Sequence, residues 1–309
     1  MSFDLASYVA ERHRLVDEAL DRCLPRPEVY PSTIHEAMRY SVFAGGKRLR
    51  PILAIAGAEA CGGTARDVMP TACAVELIHT YSLIHDDLPA MDDDDFRRGR
   101  PTSHKVFGEA IAILAGDALL TLAFRLIAEN FAEGAGPAGG GDTTPVRGPS
   151  RLRAVLAEIA EAAGTGGMIG GQVVDILSEG KSVGADTLEY IHTHKTAALI
   201  RASLRAGALL VGAPAGALEA ISRAGSRVGL AFQIVDDILD VEGSLEELGK
   251  TAGSDTRKRK VTYPGQFGLE ASRMRAKSLV EEARAALEPL GSRAEPIRAL
   301  AAFILERRS

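Results

Sequence analysis

Cysteine is scarce in this 309-residue chain, which has only Cys23, Cys61 and Cys73. None falls in a CxxC or Cys/His spacing, which excludes a cysteine-built metal centre, and an odd, sparse set suits a reducing compartment. An excess of positive charge is also missing. Lysine and arginine number 36 against 41 aspartates and glutamates, a net charge of −5, so nucleic acid is not an expected partner. The longest uncharged stretches, such as Ala206 to Leu218, are too short to span a bilayer, and no transmembrane segment is expected. The start carries Asp4, Glu11, Arg12 and Arg14 rather than a signal-peptide core. These absences point to a cytoplasmic protein. No run of alternating β-branched residues announces a sheet, no short repeat is sustained, and no Ser/His/Asp grouping is present.

What is present is apolar and helical in character. Hydrophobic residues make up 46% of the chain, enough for a sizeable core. Residues 4–24 read as an amphipathic helix closed by Pro25 and Pro27, and Ser32 is placed as the cap of a helix over 33–44. Further helices are predicted from the basic turn at 45–51 to about Cys61, over 66–88, and over 105–131 in one or two pieces. Residues 133–150, rich in Gly, Pro, Ser and Thr, read as a surface loop rather than a domain boundary. Helices resume over 151–165, 187–212 and 215–240. Residues 243–265 are polar and irregular, and 268–288 and 293–307 close the chain. Gly166-Gly167 and Gly170-Gly171 permit close backbone approach. The reading is one all-α domain over 1–309.

Two acidic groups stand out. The first holds Asp86, Asp87, Asp92, Asp93, Asp94 and Asp95, six carboxylates within ten positions, followed by Arg97 and Arg98. It continues an apolar run, Val75 to Ile84, so like charges at the mouth of an apolar wall repel and lose solvation. A cation must compensate them, and Mg2+ is the candidate because hard cations take oxygen ligands. Asp86 and Asp92 are six apart, about 120° around an ideal wheel. Pro89 is poorly tolerated inside a helix. The helix is therefore expected to end or bend near Pro89, with the irregular segment returning Asp92 toward Asp86. In the second group Asp236 and Asp240 share a helical face, with Asp237 between them and Gln233 one turn earlier. Either run alone could be a solvated helix end. Two such walls on apolar helices suggest a magnesium-bridged diphosphate, because Mg2+ usually shares its shell with substrate phosphates.

The basic residues complete the pattern. In Gly45-Gly46-Lys47-Arg48-Leu49-Arg50-Pro51, glycines allow close approach while Lys and Arg supply point charge and forked donors. An exposed basic turn is the plainer alternative. His79 lies seven residues before Asp86 on nearly the same face, where a satisfied core histidine is the alternative. Arg97 and Arg98 could simply neutralise their aspartates, and Lys195 could cap or snorkel. Taken as a set, these residues read as a cationic pocket beside two metal walls.

These motifs resemble those of the trans polyprenyl diphosphate synthases, most closely the bacterial farnesyl diphosphate synthases. The matching stretches are GGKRLRP at 45–51, ELIHTYSLIHDDLPAMDDDDFRRGRPTSH at 76–104, GGQVVDI at 170–176, HKTAALI at 194–200, FQIVDDILD at 232–240 and KRKVTYP at 258–264. Jointly they are highly specific, and the likeness runs nearly end to end. It implies an all-helical bundle around a deep central cavity, usually as a homodimer. It implies an Mg2+-dependent condensation of isopentenyl diphosphate with dimethylallyl and geranyl diphosphate to give farnesyl diphosphate.

The same resemblance implies that Asp86, Asp92 and Asp236 ligate Mg2+, with Asp87, Asp237 and Asp240 in the metal set. It implies that Lys47, Arg50, His79 and Arg98 hold isopentenyl diphosphate. Arg97, Lys195 and Lys260 match residues around the allylic diphosphate, and Lys250 joins the substrate-binding set. Thr196 and Gln233, with Lys195, match residues near the developing carbocation. Arg259 departs from the glycine the family commonly has there, and Arg307-Arg308 resembles a basic tail that closes over the site.

Tyr81 lies about 7.5 Å along the helix from Asp86. It is expected to floor the cavity and stop growth at fifteen carbons, a core tyrosine facing another helix being the alternative. The competing products are geranylgeranyl and geranyl diphosphate. A class I terpene cyclase would not need the pocket at 45–50, and a non-catalytic regulatory subunit should have lost one aspartate group.

Overall fold

The structure, a computed structural model, describes residues 3–131, 148–242 and 261–307. Its first half contains α1 (Leu5–Cys23), α2 (Ser32–Val42), α3 (Leu49–Ala60) and α4 (Ala65–Asp86). A two-stranded hairpin follows, β1 (Phe96–Arg97) and β2 (Arg100–Pro101), then α5 (Ser103–Phe107) and α6 (Glu109–Glu129). Beyond residue 147 come α7 (Pro149–Ala163), α8 (Met168–Ser178), α9 (Ala185–Ile191), a π-helical segment His192–Ala197, α10 (Ala198–Leu210) and α11 (Ala215–Glu242). The chain closes with the short helix Tyr263–Phe267, the helix Leu269–Ala286, a 3-10 turn Glu288–Ala294 and the helix Glu295–Ile304.

The fold is all-α, and α4 is its centre. Nearly every side chain from Thr71 to Ile84 is buried, and a helix that is apolar on all sides can only be a core element. Its start is fixed by a reciprocal capping box, in which the Thr64 side chain accepts from the Asp67 N–H and the Asp67 carboxylate accepts from the Thr64 N–H at 2.8 Å. α3, α6 and α10 pack around it. Leu77 and Ile78 are fully buried, and burial of such a side chain stabilises by about 1.5–3 kcal/mol. A second core lies between α3, α10, α11 and the helices Leu269–Ala286 and Glu295–Ile304.

Several boundaries differ from the sequence reading. Ser32 lies inside α2, and Pro31 holds the cap position without a side-chain bond. The 105–131 stretch divides at Gly108, where φ is +83°. The 187–212 stretch becomes α9, the π segment and α10. The hairpin was not foreseen because two residues per strand are too few for alternation to register. Its Arg98-Gly99 turn has φ of +53° and +72°, the positive pair that a tight hairpin requires. The 133–150 loop lies outside the described residues as far as 147, as does 243–260.

α6 is long and apolar enough by length and composition to cross a membrane, although Asp117 and Arg125 interrupt its uncharged runs. Here one face packs on α4 in the core, and the other exposes Ile113, Leu114 and Phe124. All three cysteines are unpaired.

Candidate active site

α4 stops at Asp86, short of Pro89. The chain then folds back, so that the Asp92 N–H donates to the Asp86 carbonyl at 2.8 Å and the Asp93 N–H to that of Leu88 at 3.1 Å. Asp93 takes φ of +50°, a left-handed value that aspartate tolerates. The turn brings Asp92 to Asp86 as the Pro89 argument required. Both line a cavity of about 380 Å3 that Asp236 and Asp237 of α11 line as well. Arg50, His79, Arg97, Arg98, Lys195, Thr196 and Gln233 also border it.

Other expected site residues lie off this wall. Lys47 is exposed near Arg307, Asp236 and Arg98, and partial burial followed by the Arg307 charge pulls its ammonium pKa down. Asp87 is buried and accepts from Arg97 Nε at 2.7 and 3.0 Å, so Arg97 already has a carboxylate partner. Asp240 is buried rather than at the cavity. Asp237 does border the cavity, but it accepts from the Tyr263 N–H at 2.7 Å and Gln233 Nε2 at 3.0 Å, and His192 Nε2 lies 3.2 Å away. Of the six aspartates expected as metal ligands, Asp86, Asp92, Asp236 and Asp237 thus line the cavity, while Asp87 and Asp237 are engaged by protein donors. Lys250 and Lys260 lie outside the described residues.

Tyr81 is also off the cavity wall. It is 6% exposed, with its ring edge-on to His85 at 5.6 Å, and His85 Nε2 lies 3.1 Å from the Ile113 carbonyl of α6. Tyr81 thus rests against a residue of its own helix, and it is His85 that reaches α6.

The site is electrically tense. Burial raises the Asp86 carboxyl to about 6, opposed by Lys195 and reinforced by Asp92. Burial pulls Arg50 down to about 10, while Glu76 opposes the shift. His79 is pushed well below its usual range by burial, with Arg50 and Arg98 adding to the effect, so it is a neutral imidazole that can donate one hydrogen bond. These shifts mark groups held apart from water and from sufficient countercharge.

Lys195 and Thr196 sit on the π segment, a distortion frequent at functional sites. Lys195 Nζ donates to Asp175 of α8 at 2.6 Å. The Thr196 hydroxyl donates to Gln233 Oε1 at 2.6 Å, and Gln233 in turn donates to Asp237. Gly171 lets α8 lie almost against the backbone of Lys195, the close approach expected of the paired glycines. The sequence reading missed His192, whose signal was its place one turn before Thr196. It also missed how far Arg307 reaches: its guanidinium lies 3.5 Å from Asp236 and 4.2 Å over the Phe232 ring.

The donors on both walls are carboxylate oxygens, which is what Mg2+ takes. Among the described residues no three His, Cys, Asp or Glu side chains are grouped to hold a metal ion. Mg2+ usually completes its shell with substrate phosphate rather than with an all-protein cage. The residues fit magnesium on these terms.

Helices thus surround one cavity whose wall carries both carboxylates and cations. The chain belongs to the Polyprenyl synthetase family, which it matches over residues 31–290. It is 50% identical over 312 residues to the heterodimeric geranylgeranyl pyrophosphate synthase large subunit 1, chloroplastic, of Arabidopsis thaliana, covering 100% of this chain and 81% of that protein. It is 46% identical to the geranylgeranyl diphosphate synthase of Cyanophora paradoxa, covering 99% and 97%. The crystal structure of a geranyltransferase from Helicobacter pylori, complexed with magnesium and isoprenyl diphosphate, aligns with a TM-score of 0.82 at 30% identity, covering 99% and 98%. The first two relatives are named for geranylgeranyl diphosphate, not for the farnesyl diphosphate expected from the sequence.

Proposed function

We propose that this chain condenses isopentenyl diphosphate with allylic diphosphates and carries elongation to geranylgeranyl diphosphate. The observation that supports elongation is the facing of Asp86 and Asp92 toward Asp236 across one cavity that also holds two groups of cations. The product length is supported by the two relatives of 50% and 46% identity that are named for it. The resemblance of the motifs to those of bacterial farnesyl diphosphate synthases favours a second reading, a fifteen-carbon product, although Tyr81 lies off the cavity wall.

Arg50, Lys47 and Arg98 bind the diphosphate of isopentenyl diphosphate through charge-assisted bonds, and neutral His79 donates to it. Lys195 and Arg97 hold the allylic diphosphate. Asp86, Asp92 and Asp236 would hold magnesium, which would supply charge neutralisation for the departing diphosphate. The Thr196 hydroxyl directs its proton at Gln233, which leaves its oxygen lone pairs for the developing allylic cation. Leu83 and Phe232 give the cavity apolar wall that keeps water from that cation. The released diphosphate is the natural acceptor for the proton lost when the new alkene forms.

The whole of 1–309 acts as one domain in this reading, and the protein works as a homodimer. The apolar row Ile113, Leu114 and Phe124 on α6 is the surface offered to the second copy. Incubation with labelled isopentenyl and dimethylallyl diphosphates and Mg2+, followed by chromatography of the dephosphorylated products, tests the function. A twenty-carbon alcohol is expected. A fifteen-carbon end product would replace the first reading by the second, and no condensation would remove both.

A further inference from the structure

Arg48 is the middle cation of the basic turn, yet it does not face the cavity that its neighbour Arg50 lines. Its side chain is 2% exposed. All three guanidinium nitrogens are engaged, each by a different helix. Nε donates to Asp17 of α1 at 2.8 Å, Nη1 to Glu76 of α4 at 3.0 Å and Nη2 to the Val42 carbonyl of α2 at 2.8 Å. Glu76 is itself 3% exposed on its side chain, so both charges are buried. A planar fork fixes its partners in direction as well as distance.

The backbone of this turn is strained at Arg48. Arg48 has φ of +49°, a left-handed value uncommon for a residue with a side chain, and Gly46 has φ of +132°. A second clamp comes from α1, where His13 Nε2 lies 3.0 Å from the Gly46 carbonyl and Nδ1 3.4 Å from Asp17. Glu76 stands one turn before His79 on α4, and His79 lines the same cavity as Arg50. The Arg48–Glu76 pair thus ties the register of the turn to that of the helix bearing His79.

We infer that Arg48 is a positioning residue, which with Asp17, Glu76 and His13 holds the 45–50 turn so that Lys47 and Arg50 meet the isopentenyl diphosphate. This rests on the proposed role of Lys47 and Arg50. A buried ion pair that served stability alone would leave substrate preference unmoved, because both substrates would suffer from a loosened fold equally.

Two variants separate these cases. Arg48→Lys keeps the charge and loses the fork. Asp17→Asn alters a side chain that is 35% exposed, where the fold is retained, and it decides the matter alone if Arg48→Lys fails to fold. Each is assayed with isopentenyl diphosphate varied at saturating allylic substrate and the reverse, beside Lys47→Ala, with amide exchange measured over residues 44–50. Arg48→Lys should raise KM for isopentenyl diphosphate about tenfold and Asp17→Asn about threefold, with allylic KM within about twofold. The turn amides should exchange faster in both. Equal rises in both KM values, or an unchanged isopentenyl KM in the folded variants while Lys47→Ala raises it, overturns the inference. If Lys47→Ala leaves that KM unchanged, the substrate role of the turn is what falls, and the proposal falls with it; faster turn exchange would then identify a purely structural lock.

Discussion

Gly171→Ala should separate activity from stability. A Cβ at this position would lie 2.2 Å from the Lys195 backbone nitrogen and 2.6 Å from its Cα. Neither atom can be moved by a change of rotamer. Ordinary contact begins at 3.4 Å, so α8 and the π segment must part by about an ångström. That displacement acts on Lys195, Thr196 and the 2.6 Å Lys195–Asp175 bond. Overpacking of this kind costs about 1–3 kcal/mol, and the better helix propensity of alanine offsets about 1 kcal/mol of it. The net loss of stability is therefore modest. Misplacement of catalytic groups by about an ångström can lower turnover about a hundredfold. Thermal unfolding and steady-state condensation rates should show a small fall in Tm with a large fall in kcat. Gly216→Ala, in α11 with nothing within 4 Å of its Cβ, is the control and should keep both. Wild-type turnover by Gly171→Ala would refute the reasoning.

Asp86→Ala or Asp236→Ala should cut turnover by orders of magnitude with the fold retained, and near-normal turnover by either folded variant would reject a site shared by the two walls. Tyr81→Ala should keep the wild-type product length because Tyr81 lies off the cavity wall; a longer product on chromatography would put it at the cavity floor. Phe124→Glu should lower the mass measured by light scattering from dimer to monomer, because a buried unpaired carboxylate is costly, and a dimer unchanged by the substitution would move the interface elsewhere.

Short-range chemistry carried much of this protein into view. The apolar run before Asp86 could only be a core helix, and Pro89 could only end it, so the fold class and the return of Asp92 to Asp86 were legible from the residues alone. The identity of the acidic and basic sets was legible for the same reason, because charge at the end of an apolar helix needs a counterpart. Which polar side chain faces the cavity was decided by tertiary packing. Asp87 turns to Arg97, Asp237 is taken by Tyr263 and Gln233, and Tyr81 leans on His85. Arg48 and Arg50 look equivalent in sequence, yet one is locked inward by Asp17 and Glu76, 31 and 28 residues away, while the other lines the cavity. A side chain's direction depends on partners brought near by folding, and local sequence carries no record of their distance.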